Sequence, residues 1–213
     1  MVDLEPNWNR AKPTREEAWK MCSEVALSLV RIQADPITQV LNRLRDSHSN
    51  GGAFLNAVLV GHSEVFDWFA SRNRLLEFEI LPRLLRRNEI RDSLPELRIQ
   101  ADYVSDHETD GCSFASSGGF KFDNPFLLDG QLAQSLFAGG AYPPSTKIEG
   151  KTAKRLAMEF CEVIFDQRYE DVSLYSSYEA WTPWFAGIAW DWTAVLFDKR
   201  TRTLWILAVT DED

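Results

Sequence analysis

WTAVLF at residues 192–197, KRTR at 199–202 and TLWILAVT at 203–210 form the stretch that decides the fold: two apolar runs on either side of a short charged turn. Val, Ile, Trp, Phe and Thr dominate both runs, so they read as paired strands, a β-hairpin closing the chain. Five of the eight tryptophans, Trp181, Trp184, Trp190, Trp192 and Trp205, fall in or just before this hairpin. Each brings a large apolar body and one N–H donor, so most are expected inside the protein with the indole nitrogen paired. The segment is the expected structural centre.

Working outward, Val172 to Tyr178 and Leu97 to Tyr103 alternate apolar and polar residues, which predicts strands near 172–178 and 96–104. Helices are expected earlier. Thr14-Arg15-Glu16-Glu17 is a capping box ahead of Trp19, Cys22, Val25, Ala26, Leu29 and Val30, predicting a helix to about Gln33. Asp35-Pro36 starts a second helix, and the apolar run Ala53 to Val60, too short for its period to decide, is read as helix. Ser63 caps a further helical segment, and Pro82 splits the leucine-rich stretch 75–87. Later helices are expected from Asp129 to Phe137 and from Lys151 to Asp166, with a short strand at Phe120-Lys121-Phe122. The pattern defines an α+β fold in a single domain, 1–213, in which residues 1–95 are mainly helical and residues 96–213 are β-rich and acidic. The helical N-terminal region is expected over one face of a mainly antiparallel sheet of four or more strands, ending in the C-terminal β-hairpin.

At 213 residues and 45% hydrophobic, the chain can bury a core without disulfide staples. Cys22, Cys112 and Cys161 are too far apart for a metal or redox pair, so reduced thiols are expected. No run approaches the roughly 18 to 20 apolar residues of a membrane span, and the polar N-terminus has no signal-like apolar core. A cytoplasmic protein is expected. The net charge is −9, and its distribution is uneven: residues 1–100 carry 14 basic and 14 acidic side chains, residues 101–213 carry 9 and 18. Such a surface repels nucleic-acid phosphates and anionic lipid and draws in basic partners.

Catalytic signatures are few. Asp106, Glu108 and Asp110 followed by Gly111 approximate the opening of a calcium loop, but position 12 of that register is Ser117, which offers no bidentate carboxylate. His107 and Cys112 lie near each other in sequence, yet neighbouring acids disfavour a thiolate there. Ser63 and Glu64 in His62-Ser63-Glu64 are explained by a helix start. No catalytic residue, metal site or cofactor is expected.

What remains is an acidic, aromatic region. Between Glu159 and Asp191 lie seven acids and one base, Arg168, interleaved with Tyr169, Tyr175, Tyr178 and the tryptophans. Aromatic anchors within an acidic rim suit capture of a basic protein, with Glu170, Asp171, Trp181, Trp184, Trp190 and Asp191 as the candidate partner-binding residues. In general character, small, acidic, cysteine-poor and without catalytic motifs, the chain resembles the immunity proteins that bacteria make against their own toxins. The resemblance covers composition and carries no site residues. It implies an acidic cytoplasmic interaction protein that binds a basic protein partner and, by extension, inhibits it. The alternative is a small-molecule or carbohydrate-binding domain, or an unfamiliar enzyme, with Trp181, Trp184 and Trp190 as a stacking wall and Asp191 as polar anchor. Burial of the aromatic surface against a second copy of the chain is a third arrangement.

Overall fold

The structure, a computed structural model, describes residues 4–101, 119–142 and 147–213. Among them lie six strands, β1 (Leu27–Leu29), β2 (Gly52–Val60), β3 (Lys121–Asp123), β4 (Val172–Ser177), β5 (Trp192–Asp198) and β6 (Thr203–Thr210). They form one sheet in the order β1-β2-β6-β5-β4-β3, and every neighbouring pair is antiparallel. The expected C-terminal hairpin is the β5–β6 pair at the sheet's centre, with Val195 opposite Ile206. Seven helices accompany it: α1 (Arg15–Glu24), α2 (Asp35–Ser47), α3 (Glu64–Ala70), α4 (Ile80–Leu85), α5 (Asn88–Ser93), α6 (Leu128–Ala138) and α7 (Gly150–Phe165). The fold is α+β.

Helices cover both faces of the sheet rather than the single face expected. Val195, Phe197, Leu204, Ile206 and Ala208 pack against α1, α3, α4 and α5. Trp192, Ala194, Leu196, Leu207 and Val209 turn the other way, onto α2, α6 and α7. The physical reason lies in the strands themselves. WTAVLF and LWILAV lack the polar alternation of a half-wet strand, and a strand apolar at every position needs cover on both sides.

Four predicted elements change. Pro82 does not split its stretch: it lies in the first turn of α4, where a missing N–H costs nothing, and the break comes earlier, at Phe78 and Glu79 with φ 49° and 60°. The first helix stops at Glu24; Val25 leaves it with an extended ψ of 131°, and Leu27 pairs with Val60 as edge strand β1. Ala53 to Val60 is strand, not helix, because it fills the slot between β1 and β6, pairing from Gly52↔Thr210 to Leu59↔Thr203. The strand expected at 96–104 does not form over its described residues. Pro95–Leu97 is a 3-10 turn, and Arg98 follows with φ 52°. Leu97 and Ile99 are both buried, so the alternation is real, but it belongs to a loop tucked against the first core. The rest of that segment, the calcium-like loop, His107 and Cys112 lie outside the described residues.

Asp35 and Pro36 open α2 from within its first turn, without a side-chain cap, while the other two start signals are realised as caps. Thr14 Oγ accepts from Glu17 N at 3.2 Å while Thr14 N donates to the Glu17 carboxylate at 2.7 Å, and Ser63 Oγ accepts from Phe66 N. One feature of the hairpin turn is not written in its sequence. Arg202 is buried, and its guanidinium donates to both oxygens of the buried Asp67 on α3 at 3.0 and 2.7 Å and to the carbonyls of Val60 and Gly61 at 2.9 and 2.7 Å. That bidentate fork ties the turn to α3 and satisfies a charge that would otherwise oppose burial.

Candidate functional site

β4 separates the candidate residues into two groups. Glu170 and Asp171 sit in the 3-10 turn Tyr169–Asp171 at its start, and the loop 178–191 leaves its end. Six extended residues span roughly 20 Å, so one compact patch does not hold both groups. At the first end Glu170 is exposed, whereas Asp171 accepts from Arg200 Nε at 2.8 Å, with its carbonyl taken by Lys199 N. The turn 199–202 therefore offsets the acidity beside it.

At the other end two candidates are interior residues. The Trp181 indole N–H donates to Thr193 Oγ1 at 2.8 Å, and the ring lies against Phe120 and Phe185. Asp191, 1% exposed, accepts from the backbone N–H groups of Gly187 and Ile188 at 2.6 and 3.2 Å and from the Thr210 hydroxyl. It closes the loop onto the last strand. Gly187 has φ +78°, a left-handed backbone that favours glycine at the point where the loop bends back to meet this carboxylate. Trp184 is half-buried, edge-on to Phe54 and Phe185 at 5.2 and 5.0 Å. Trp190 is half-buried and lines a cleft.

That cleft, of about 360 Å³, lies between α6 and the loop 178–191. Tyr178, Trp190 and Trp192 supply aromatic wall; Gln131, Gln134 and Ser135 of α6 supply polar groups, and His48 also lines it. Gln131 Nε2 donates to Tyr178 Oη at 2.6 Å. His48 Nδ1 is 3.0 Å from the Leu44 carbonyl, so it carries the proton in the neutral ring, leaving Nε2 as the acceptor nitrogen. Burial, the main cause, holds this imidazole's pKa below 6.5, although the Leu44 carbonyl and Asp211 pull the other way. The ring is therefore uncharged at neutral pH, and so is the cleft.

Sequence reasoning passed over the β3 side of the sheet. Among the described residues β3 is its last strand, and large apolar side chains stand exposed near it: Phe122 (51%), then Phe126 (62%) and Leu127 (60%) in the turn that follows, with Tyr178 (61%) where β4 leaves the sheet. Phe126 stacks on Tyr169 with centroids 4.5 Å apart, which brings the patch next to Glu170. Exposed Glu179 lies at the opposite end, its N–H donating to Ser177 Oγ. The sequence signal was present in Phe122-Asp123-Asn124-Pro125-Phe126-Leu127, an apolar run interrupted by a turn, but burial alone distinguishes core from surface there.

Among the described residues, no group of three or more His, Cys, Asp or Glu side chains is placed to hold a metal ion, and no helix is long and apolar enough to cross a membrane. Cys22 and Cys161 are buried, and burial pushes both thiols up to about 12, against the low-pKa environment of a nucleophile. No protein-family model matches the chain, and neither a curated protein nor a solved structure matches it.

Proposed function

We propose that the chain is a cytoplasmic interaction protein that binds a basic protein partner through the β3 edge, and that it inhibits that partner in the manner of an immunity protein. Exposed Phe126, Leu127 and Tyr178 carry this reading, with exposed Phe122 on the other face of the edge strand, against Tyr175. Large apolar side chains exposed near one another on a protein surface mark sites that another molecule covers. Aromatic anchors give an interface most of its residence time, and surrounding charge governs encounter. Glu170 and Glu179 flank the group, and the chain's net charge of −9 favours approach of a positive surface. Relative to the sequence expectation, the anchors move from Trp181 and Trp184 to the phenylalanines of the edge, and Asp191 is replaced by Glu179 in the rim.

The test is a tagged pull-down from the source cells at low and moderate salt, followed by kinetics with the protein retained. A stoichiometric basic partner is expected, released as salt rises. Phe126→Ala is expected to speed its dissociation, and Glu170→Lys with Glu179→Lys to slow its association in a salt-dependent way. Capture of no basic protein, or a partner indifferent to all three substitutions, overturns the reading. A second copy of the chain seated on the same edge is the other outcome, and sedimentation velocity across a concentration series identifies it.

A further inference from the structure

We infer that the cleft between α6 and the loop 178–191 is a binding site for an uncharged, polyhydroxylated ring, a neutral saccharide unit, which shares Tyr178 with the exposed residues near the β3 edge. Its lining fits that chemistry on three counts. First, it holds no acidic or basic side chain, and burial keeps His48, the one titratable ring in it besides Tyr178, neutral at ordinary pH. In a protein with 55 charged Asp, Glu, Lys and Arg side chains, 32 acidic and 23 basic, a cleft free of them selects against ionic ligands.

Second, aromatic surface meets convergent amide and hydroxyl groups. Tyr178 and Trp190 offer apolar ring surface, on which the C–H face of a sugar ring packs, and the buried Trp192 lies beside them. Gln134 and Ser135 stand beside them on successive positions of α6, with no side-chain hydrogen bond to any described residue, and Gln131 reaches in from one turn earlier. Each amide presents both donor and acceptor, which is what vicinal hydroxyls require.

Third, the size agrees. The volume, about 360 Å³, lies at the lower end of small-molecule sites, roughly 300–1,000 Å³, and suits a ligand of about one or two rings.

Only Trp190 of the stacking wall expected from the sequence lines the cleft; Trp181 and Asp191 fix the loop through their hydrogen bonds to Thr193, Gly187, Ile188 and Thr210. The inference does not rest on a protein partner, and Trp190 and Gln134 of the cleft and Phe126 of the edge, which the two surfaces do not share, distinguish the two readings.

The experiment is titration of the full chain with methyl glycosides of glucose, galactose and mannose, N-acetylglucosamine and their disaccharides at millimolar concentration. Glucose 6-phosphate and glucuronate serve as charged comparators, with tryptophan fluorescence and calorimetry as readouts. At least one neutral sugar is expected to bind and shift the tryptophan emission. Trp190→Ala is expected to weaken it about tenfold, the loss of one stacking face. Gln134→Ala, an exposed position that leaves folding intact, is expected to weaken the same sugar, while Phe126→Ala on the β3 edge leaves it unchanged. No response across the neutral panel, equal binding of the charged comparators, or undiminished affinity in both cleft variants overturns the inference.

Discussion

The two ends of the central hairpin are pinned by opposite means. At its turn, carboxylates meet guanidinium groups: Asp67 with Arg202, Asp198 with Arg168 at 2.9 Å, and Asp171 with Arg200. At its open end, among the described residues, no cation enters the equivalent contacts. Asp191 is held by Gly187 N, Ile188 N and the Thr210 hydroxyl, and Asp211 by Asn50 N and Ala141 N at 2.9 and 2.8 Å. The difference shows where much of the acidity of the second half goes. Asp191, Asp198 and Asp211 are each 1% exposed and serve the fold, so net charge overstates the acid available to a partner. Surface capture falls to residues such as Glu170 and Glu179.

The contrast is broken most severely at the turn. Arg202→Ala leaves Asp67 buried without its cation, and a loss of about 3–5 kcal/mol is expected in urea unfolding. Arg202→Lys keeps the charge but not the fork, and is expected to recover only a fraction of it. The open end should respond less. Asp191→Ala strips acceptors from two N–H groups and a hydroxyl, at about 1–3 kcal/mol, whereas Asp191→Asn retains an acceptor oxygen and is expected to fall below it in the same assay. Equal losses for Asp191→Ala and Asp191→Asn would show that the charge itself, and not hydrogen-bond acceptance, holds the loop.

A smaller, pH-dependent effect sharpens the comparison near Asp211. His48 is held below its ordinary 6.5 mainly by burial, so the unfolded chain takes up this proton at higher pH than the folded chain. Its contribution is full above that ordinary value and declines as pH falls below it towards the depressed folded value. The fall in melting temperature between about pH 7.5 and about pH 5 is expected to be shallower in His48→Gln than in the parent chain. Smallest on stability is Glu170→Lys. As an exposed residue it should alter unfolding by less than about 0.5 kcal/mol, so slower association of a partner in that variant reports the surface and not the fold.

Legibility followed the range of the physics. The capping box at Thr14 and Glu17, the Ser63 cap, α6, α7 and the hairpin were readable because each is written in residues a few positions apart. Ala53 to Val60 was misread because an apolar run of this length suits either element, and only its two flanking strands decide. The candidate site fared worse. Trp181, Trp184 and Asp191 share one loop as their proximity implied, but Glu170 and Asp171 lie beyond the far end of β4, and the exposed phenylalanines were passed over.

By itself, then, the sequence determined the α+β class, the closing hairpin, the main helix starts and the absence of long apolar spans, all consequences of local pattern and composition. Tertiary structure alone decided that helices cover both sheet faces, that Arg202 is buried against Asp67 135 residues away, and which aromatic rings meet solvent. Those outcomes depend on which distant segments compete for the same apolar surface and the same buried charge, and no local window of sequence contains both competitors.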